Sequence, residues 1–355
     1  MGPDGFLAYP YGGDISYYDD NGEHRWQLPW PDEVHHRGGV QVAFAGNNHA
    51  IFALDSRGRP GMSLVAVDLS GVVAWVRKLP NLPGGSYQGN AVAAGSGFVV
   101  ASTIGGVVCL DASSGDVVWQ RGLADFLVCE IHIWSGRVLC MDSEGVRMLD
   151  LTSGALLWHH SLPRGASLVA ASVTGEAEAV AFSYREDNPA FSCLHLEALA
   201  EDSGETNSAH AVGWTNTGGG WPSDLVAIDS RLFMATDRAV YAFSMDSHNW
   251  CWQRYVRKDE HLYGPGLMSL GGMVVVQVSG KVVCLDPGNG RSAWSTAGWI
   301  VSVSPDQRRM AVSTKRGTDF YQVLGKAELP SDTEGDLDDA GSIRWCPNPP
   351  IRGRP

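Results

Sequence analysis

Leu110-Asp-Ala-Ser-Ser-Gly-Asp-Val-Val-Trp119, Leu149-Asp-Leu-Thr-Ser-Gly-Ala-Leu-Leu-Trp158 and Leu285-Asp-Pro-Gly-Asn-Gly-Arg-Ser-Ala-Trp294 are three copies of one phrase. In each, an apolar run ends in Asp, a turn of Ser, Thr, Asn and Gly follows, and a Trp arrives eight residues after the Asp. The Asp carboxylate suits a strand end, where it accepts hydrogen bonds from turn amides. The Gly takes the positive-φ position of a tight hairpin turn. The Trp brings a large flat surface that fits between adjacent sheets, and its indole N–H then needs an acceptor. A unit of strands and tight turns recurring at about 40–45 residues signals a stacked or circular repeat.

The third residue of the apolar run before the Asp gives a ruler. Cys109, Met148 and Cys284 fall on it directly, and Tyr17, Ala66, Cys193, Ala242 and Phe320 mark weaker copies. Successive marks lie 36 to 49 residues apart, which counts eight units; seven is the alternative. From Asn90 to Leu123, four short β-rich runs alternate with turn residues, the pattern of a four-stranded antiparallel meander. No sustained helical period appears, although Leu194–Ala200 has room for one helical turn. The expectation is all-β: a single domain over residues 1–355, an eight-bladed β-propeller of four-stranded antiparallel blades.

The ring is expected to close through the C-terminal segment. The chain opens on what reads as the second strand of a unit, Phe6–Tyr11. Ser342-Ile-Arg-Trp-Cys-Pro-Asn348 matches the first strand of the last unit, Val301-Ser-Val-Ser-Pro-Asp306. Residues 342–346 then supply the innermost strand of the first blade, after an acidic loop at 331–341. The rival reading makes Trp345 the last Trp of the eighth blade. Two stretches break the repeat: an irregular rim insertion at 197–212, and the Gly-rich link from Trp214 to Pro222 that contains Trp221.

The phrase resembles the tryptophan-docking repeat of the PQQ-like, quinoprotein dehydrogenase-like propellers, the repeat type of the outer-membrane assembly lipoproteins. The resemblance implies the propeller fold, and many propellers with this repeat bind no cofactor. In the quinoprotein dehydrogenases PQQ sits above the central channel over a vicinal Cys pair, with Ca²⁺ held by Glu and Asn. This chain has no adjacent cysteines, and no cofactor-binding position transfers to it.

Bulk composition excludes some classes. A net charge of −13 without a basic block argues against nucleic acid or an anionic membrane surface. No apolar stretch reaches the length of a membrane span. The opening Met1-Gly-Pro-Asp-Gly-Phe6 has neither a basic start nor an apolar run, so a cytoplasmic location is the simplest expectation. Seven Cys without CxxC spacing give neither a disulfide framework nor a zinc site. Cys109, Cys193 and Cys284 fall where Ala and Met also occur, so they are read as core residues, and Cys129, Cys140 and Cys251 likewise.

Any site is expected at the channel mouth, where the innermost strands converge. Glu130 and His132, two apart on one strand, share a face. With His36 they form a candidate catalytic group for acid–base work or for holding a divalent metal. Tyr87, Gln88, Trp221, Asp224, Tyr263 and Trp299 are candidate binding residues there. Asp19-Asp-Asn-Gly-Glu23 lacks the ligand spacing of a calcium loop and reads as a hairpin turn. His159-His160 points to opposite faces of a strand. The leading functional expectation is a scaffold recognising a protein or peptide through rim loops. A lyase- or cyclase-type enzyme acting on a small molecule in the channel is the runner-up, and a PQQ-dependent oxidoreductase is third.

Overall fold

The computed structural model describes residues 5–8, 14–19, 23–29, 36–45, 49–56, 62–79, 91–103, 105–123, 130–142, 144–163, 166–174, 179–187, 192–200, 202–214, 222–236, 239–247, 249–256, 262–303, 309–314 and 317–322. These residues form eight antiparallel sheets, each with its strands side by side in chain order. The first is Gly5–Ala8, Ile15–Asp19 and His24–Leu28, and the second is His36–Ala45, His49–Ser56, Met62–Asp68 and Val73–Lys78. Val92–Gly95, Phe98–Thr103, Gly106–Asp111 and Val117–Gly122 make the third; Glu130–Trp134, Arg137–Asp142, Gly145–Asp150 and Leu156–Ser161 the fourth. The fifth is Ala166–Thr174, Ala179–Asp187, Ser192–Ala200 and Thr206–Trp214; the sixth Pro222–Ile228, Arg231–Thr236, Ala239–Ser244 and Asn249–Tyr255. Leu262–Leu270, Met273–Val278, Lys281–Leu285 and Ser292–Ala297 follow as the seventh, and Trp299–Val303, Arg309–Thr314 and Gly317–Gln322 as the eighth. No helix occurs among the described residues.

The middle strands of the second, third, fourth and seventh sheets read as apolar runs because both faces of those sheets are covered. Along Phe98–Thr103, Val99 and Ala101 pack against the second sheet with Ile51, Ala53, Leu64 and Ala66. Val100 points the other way, joining Ile131, Val138, Cys140 and Leu149 of the fourth sheet. The same two-sided burial joins the sixth sheet to the seventh and the seventh to the eighth. Each fully buried Val or Leu contributes roughly 1.5–3 kcal/mol, so these inter-sheet layers are the core. Gly5–Ala8 of the first sheet lies beside Trp299–Val303 of the last.

The repeated phrase is the joint between neighbouring sheets. Trp26 lies on Gly71, Trp75 on Gly115, Trp119 on Gly154, Trp158 on Gly204 and Trp252 on Gly290, always one sheet onward. The glycines hold φ between +69° and +87°, and an added Cβ at Gly154 would fall 2.7 Å from Trp119 Cδ2. Two independent constraints, backbone and steric, therefore demand Gly there. The indole N–H groups of Trp26, Trp75, Trp119 and Trp252 donate to the carbonyls of Leu69, Ala112, Leu151 and Pro287 of the receiving turn. Three of these Trp are followed two residues later by Arg. Arg77, Arg121 and Arg254 donate to the carbonyls of Gly115, Gly154 and Gly290.

The Asp shapes the turn. Asp111 accepts from the amides of Ser113 and Ser114, and Asp150 from the amides and hydroxyls of Thr152 and Ser153. The hydroxyl of Ser153, followed by Thr152, holds the Asp150 carboxyl down at about 2, so the charged, turn-forming state persists well into acid. Opposite each turn, the last two strands of the sheet carry a bulge at the ruler position: after Tyr17, Ala66, Cys109, Met148, Ala242 and Cys284.

The fifth sheet corrects several expectations. Residues 197–212 are not an irregular insertion, and Leu194–Ala200 is strand. Ser192–Ala200 and Thr206–Trp214 pair directly across a short turn, in which Gly204 receives Trp158. The bulge follows Ala198, so Ala198 rather than Cys193 is the ruler residue, and Ser208 stands opposite it where the first four, the sixth and the seventh sheets have Trp. The strands here are nine residues long, which displaced the alignment. Trp214 pairs with Ser192 at the far end. Cys109, Cys140 and Cys284 are buried as expected, whereas Cys251 is exposed on an outer strand.

Candidate functional site

The expected site residues sit near the starts of first strands, which run alongside one another from sheet to sheet. His36 opens His36–Ala45, Asp224 and Tyr263 lie near the starts of Pro222–Ile228 and Leu262–Leu270, and Trp299 opens Trp299–Val303. Tyr87, Gln88 and Trp221 lie outside the described residues, as does the segment 331–346.

Glu130 and His132 come together. Ile131 between them turns into the apolar layer shared with the third sheet, which sends its two neighbours to the opposite face. His132 Nε2 lies 2.9 Å from Glu130 Oε1, and both side chains are about one-third exposed. The contact is a hydrogen bond between one imidazole nitrogen and one carboxyl oxygen, and it holds the ring in place. The pair can orient an imidazole for proton transfer, or offer one nitrogen and one oxygen to a cation. Among the described residues no group of three His, Cys, Asp or Glu is placed to hold a metal. His36 opens the first strand of the second sheet, two sheets from Glu130 and His132, and its side chain is not described.

Trp299 is 48% exposed, and its backbone is fixed. Gln277, buried in the otherwise apolar strand Met273–Val278, donates through Nε2 to the carbonyls of Lys281 and Gly298 and accepts the amide of Ile300 at 2.9 Å. Gly298 N–H donates to Gly280 at 2.7 Å. One buried amide thus uses its donors and its acceptor to clamp the two residues flanking Trp299.

A second buried polar device lies in the fourth sheet. Asp142, fully buried, accepts from Arg147 Nε at 2.7 Å and from the amides of Glu144 and Gly145. Arg147 also reaches Glu144 at 3.5 Å. Burial, then the nearby Arg147, pushes the His159 imidazole below the ordinary histidine range. His159 and His160 pair with Arg147 and Val146 and so occupy opposite faces. The Cys109, Cys140 and Cys284 thiols are pushed up to about 12 by burial, which leaves them unreactive at neutral pH.

Sequence reasoning passed over Gln277 and the Arg two residues after the Trp. A lone Gln in Met-Val-Val-Val-Gln-Val, and Trp-x-Arg repeated at Trp75, Trp119 and Trp252, were the available signals.

The family model described as outer membrane protein assembly factor BamB matches residues 11–296. Among solved structures, BamB from Moraxella catarrhalis is 19% identical, covers 89% of this chain and 90% of its own, and superposes with a TM-score of 0.64. The computationally designed Ika8 protein is 13% identical over 91% of this chain and 94% of its own, TM-score 0.65. The dihydro-heme d1 dehydrogenase NirN in complex with DHE is 15% identical over 90% and 70%, TM-score 0.62. These likenesses establish the propeller-like fold. No curated protein sequence matches the chain.

Replacing Gln277 by Leu leaves the Gly298 carbonyl and the Ile300 amide without partners. The expected cost is about 1–3 kcal/mol of unfolding free energy, with hydrogen exchange at Ile300 faster by at least about tenfold. Unchanged exchange there would show that the clamp does not hold Trp299.

Proposed function

The chain belongs to the family described as outer membrane protein assembly factor BamB, and we propose that it is a binding scaffold, an eight-bladed propeller that holds a protein or peptide partner against its rim loops and channel mouth. The observation that carries this reading is Trp299, a large aromatic side chain nearly half exposed on a backbone locked by buried Gln277. Exposed aromatics that lose little freedom on binding are the usual energetic centres of protein interfaces. An assembly factor, as the family description has it, needs such a rigid holding surface.

The same proposal closes the ring through the C-terminal segment. Gly5–Ala8 precedes the strand that carries Tyr17 and so corresponds to the second strand of the four-stranded sheets. Residues 342–346 are assigned to the missing inner position. A chain ending at residue 330 is then expected to lose its sharp cooperative unfolding; a truncation that melts like the full chain contradicts this closure.

The bond between Glu130 and His132 favours a second reading, a lyase- or cyclase-type enzyme using this pair on a small molecule at the mouth, with or without a divalent metal. One experiment separates the two. A photo-crosslinking residue at position 299, installed in the full chain in its native cells, is expected to capture a discrete protein; the same residue at exposed Val118 on an outer strand is expected to capture none. If nothing is captured at 299 and added Mn²⁺ broadens the His132 resonances, the enzyme reading replaces the scaffold.

A further inference from the structure

The junction between the fifth and sixth sheets has lost both halves of the indole dock. Ser208 holds the Trp position of the fifth sheet. In the sixth, His248, outside the described residues, stands at the sequence position of the receiving Gly. The outer strand of the sixth sheet, Asn249–Tyr255, carries aromatic side chains in excess of its docking Trp252. Trp250 meets Phe243 nearly edge-on at 5.3 Å and Tyr241 at 5.9 Å, with ring planes 69° and 70° apart. Trp250 is 39% and Tyr255 60% exposed. Tyr241, Trp250, Cys251, Trp252 and Gln253 line an open recess of about 130 Å³.

Three properties of this edge define what it would take. Among the described residues Asn249–Tyr255 is the terminal strand of its sheet, with an outer edge that a further strand can join. Trp250 and Tyr241 meet edge to face and both line the recess, and the aromatic surface they expose there attracts cations. Asp229 and Asp246 are exposed on the two turns at the end of the sheet where Trp250 lies, on a chain of net charge −13. The nearby cations are engaged elsewhere: Arg254 Nη1 donates to Gly290 and Arg231 Nη1 to Pro287, both in the seventh sheet.

We propose that this edge binds an extended peptide segment as an added strand, with a Lys or Arg side chain seated in the recess against Tyr241 and Trp250. The proposal shares with the scaffold reading only the premise that the partner is a protein, and its site lies on the outer edge rather than at the mouth.

Cys251 supplies the readout, because it is exposed in the recess while Cys109, Cys140 and Cys284 are buried. The full chain is alkylated with iodoacetamide in the presence of an acetylated, amidated octapeptide of alternating Val and Lys, and the Cys251 rate is read by mass spectrometry. The expected result is slowing of at least about fivefold at saturation. In Trp250→Leu, which keeps apolar cover over Phe243 without a π face, about tenfold more peptide should be needed. An octapeptide of alternating Val and Glu should leave the rate unchanged. No protection by the Lys peptide, equal protection by the Glu peptide, or undiminished affinity in Trp250→Leu would each overturn the proposal. If Trp250→Leu does not fold, Tyr241→Leu, which removes the other ring lining the recess, replaces it with the same expected loss. Failure here with capture at Trp299 intact would remove this edge and leave the mouth reading standing.

Discussion

An indole lying flat on a glycine of the next sheet is the contact on which the remaining structure depends. Each sheet is too small to bury its own faces, so its strands are stable only when neighbours cover both sides. The dock sets the spacing of those neighbours near the outer edge, where the apolar layers end. It also explains the whole phrase. Gly is required because a Cβ would strike the ring, the Asp organises the turn that presents that Gly, and a bulge opposite the turn accompanies the Trp. Where an Arg follows two residues later, its guanidinium bonds the carbonyl of the same Gly and adds a polar tie at the rim of the contact.

A rigid frame of this kind leaves function to departures from the repeat. Buried Gln277 gives its hydrogen bonds to the residues flanking Trp299, and the Asp142–Arg147 pair fixes a turn of the fourth sheet in the same manner. Between the fifth and sixth sheets the Trp and its Gly have disappeared together. Loss of one alone would leave either an unreceived indole or an unoccupied glycine cradle. Their joint absence marks a junction held by other means, and that is where the surplus aromatic side chains of Asn249–Tyr255 are found.

Much of this was legible in the sequence because the phrase joins a steric demand to a backbone demand at fixed spacing. The all-β architecture, the turn positions, the packing role of the Trp and the buried state of Cys109 and Cys284 could all be read from it. The fifth sheet could not. Cys193-Leu194-His195 mimics the Cys-Leu-Asp of other units, and with no Trp to anchor the count, nine-residue strands looked like an insertion. Glu130 and His132 were placed on one face by strand alternation alone, and the structure brings them into contact. The clamp on Trp299 was hidden because its partners are backbone groups up to 23 residues away, which carry no side-chain signature. Exposure of Cys251 was likewise invisible, since it depends on which strand lies outermost.

The most direct test of the docking account is a double-mutant cycle on Trp119 and Gly154. Unfolding free energies of the unaltered chain, Trp119→Ala, Gly154→Ala and the double variant give the coupling between the two residues. If the indole is what forbids a side chain at Gly154, alanine there must cost less once the ring is gone, with a coupling of about 1–3 kcal/mol. Strictly additive costs would mean that the glycine answers only to its backbone angle, and the dock would no longer explain how the sheets are joined.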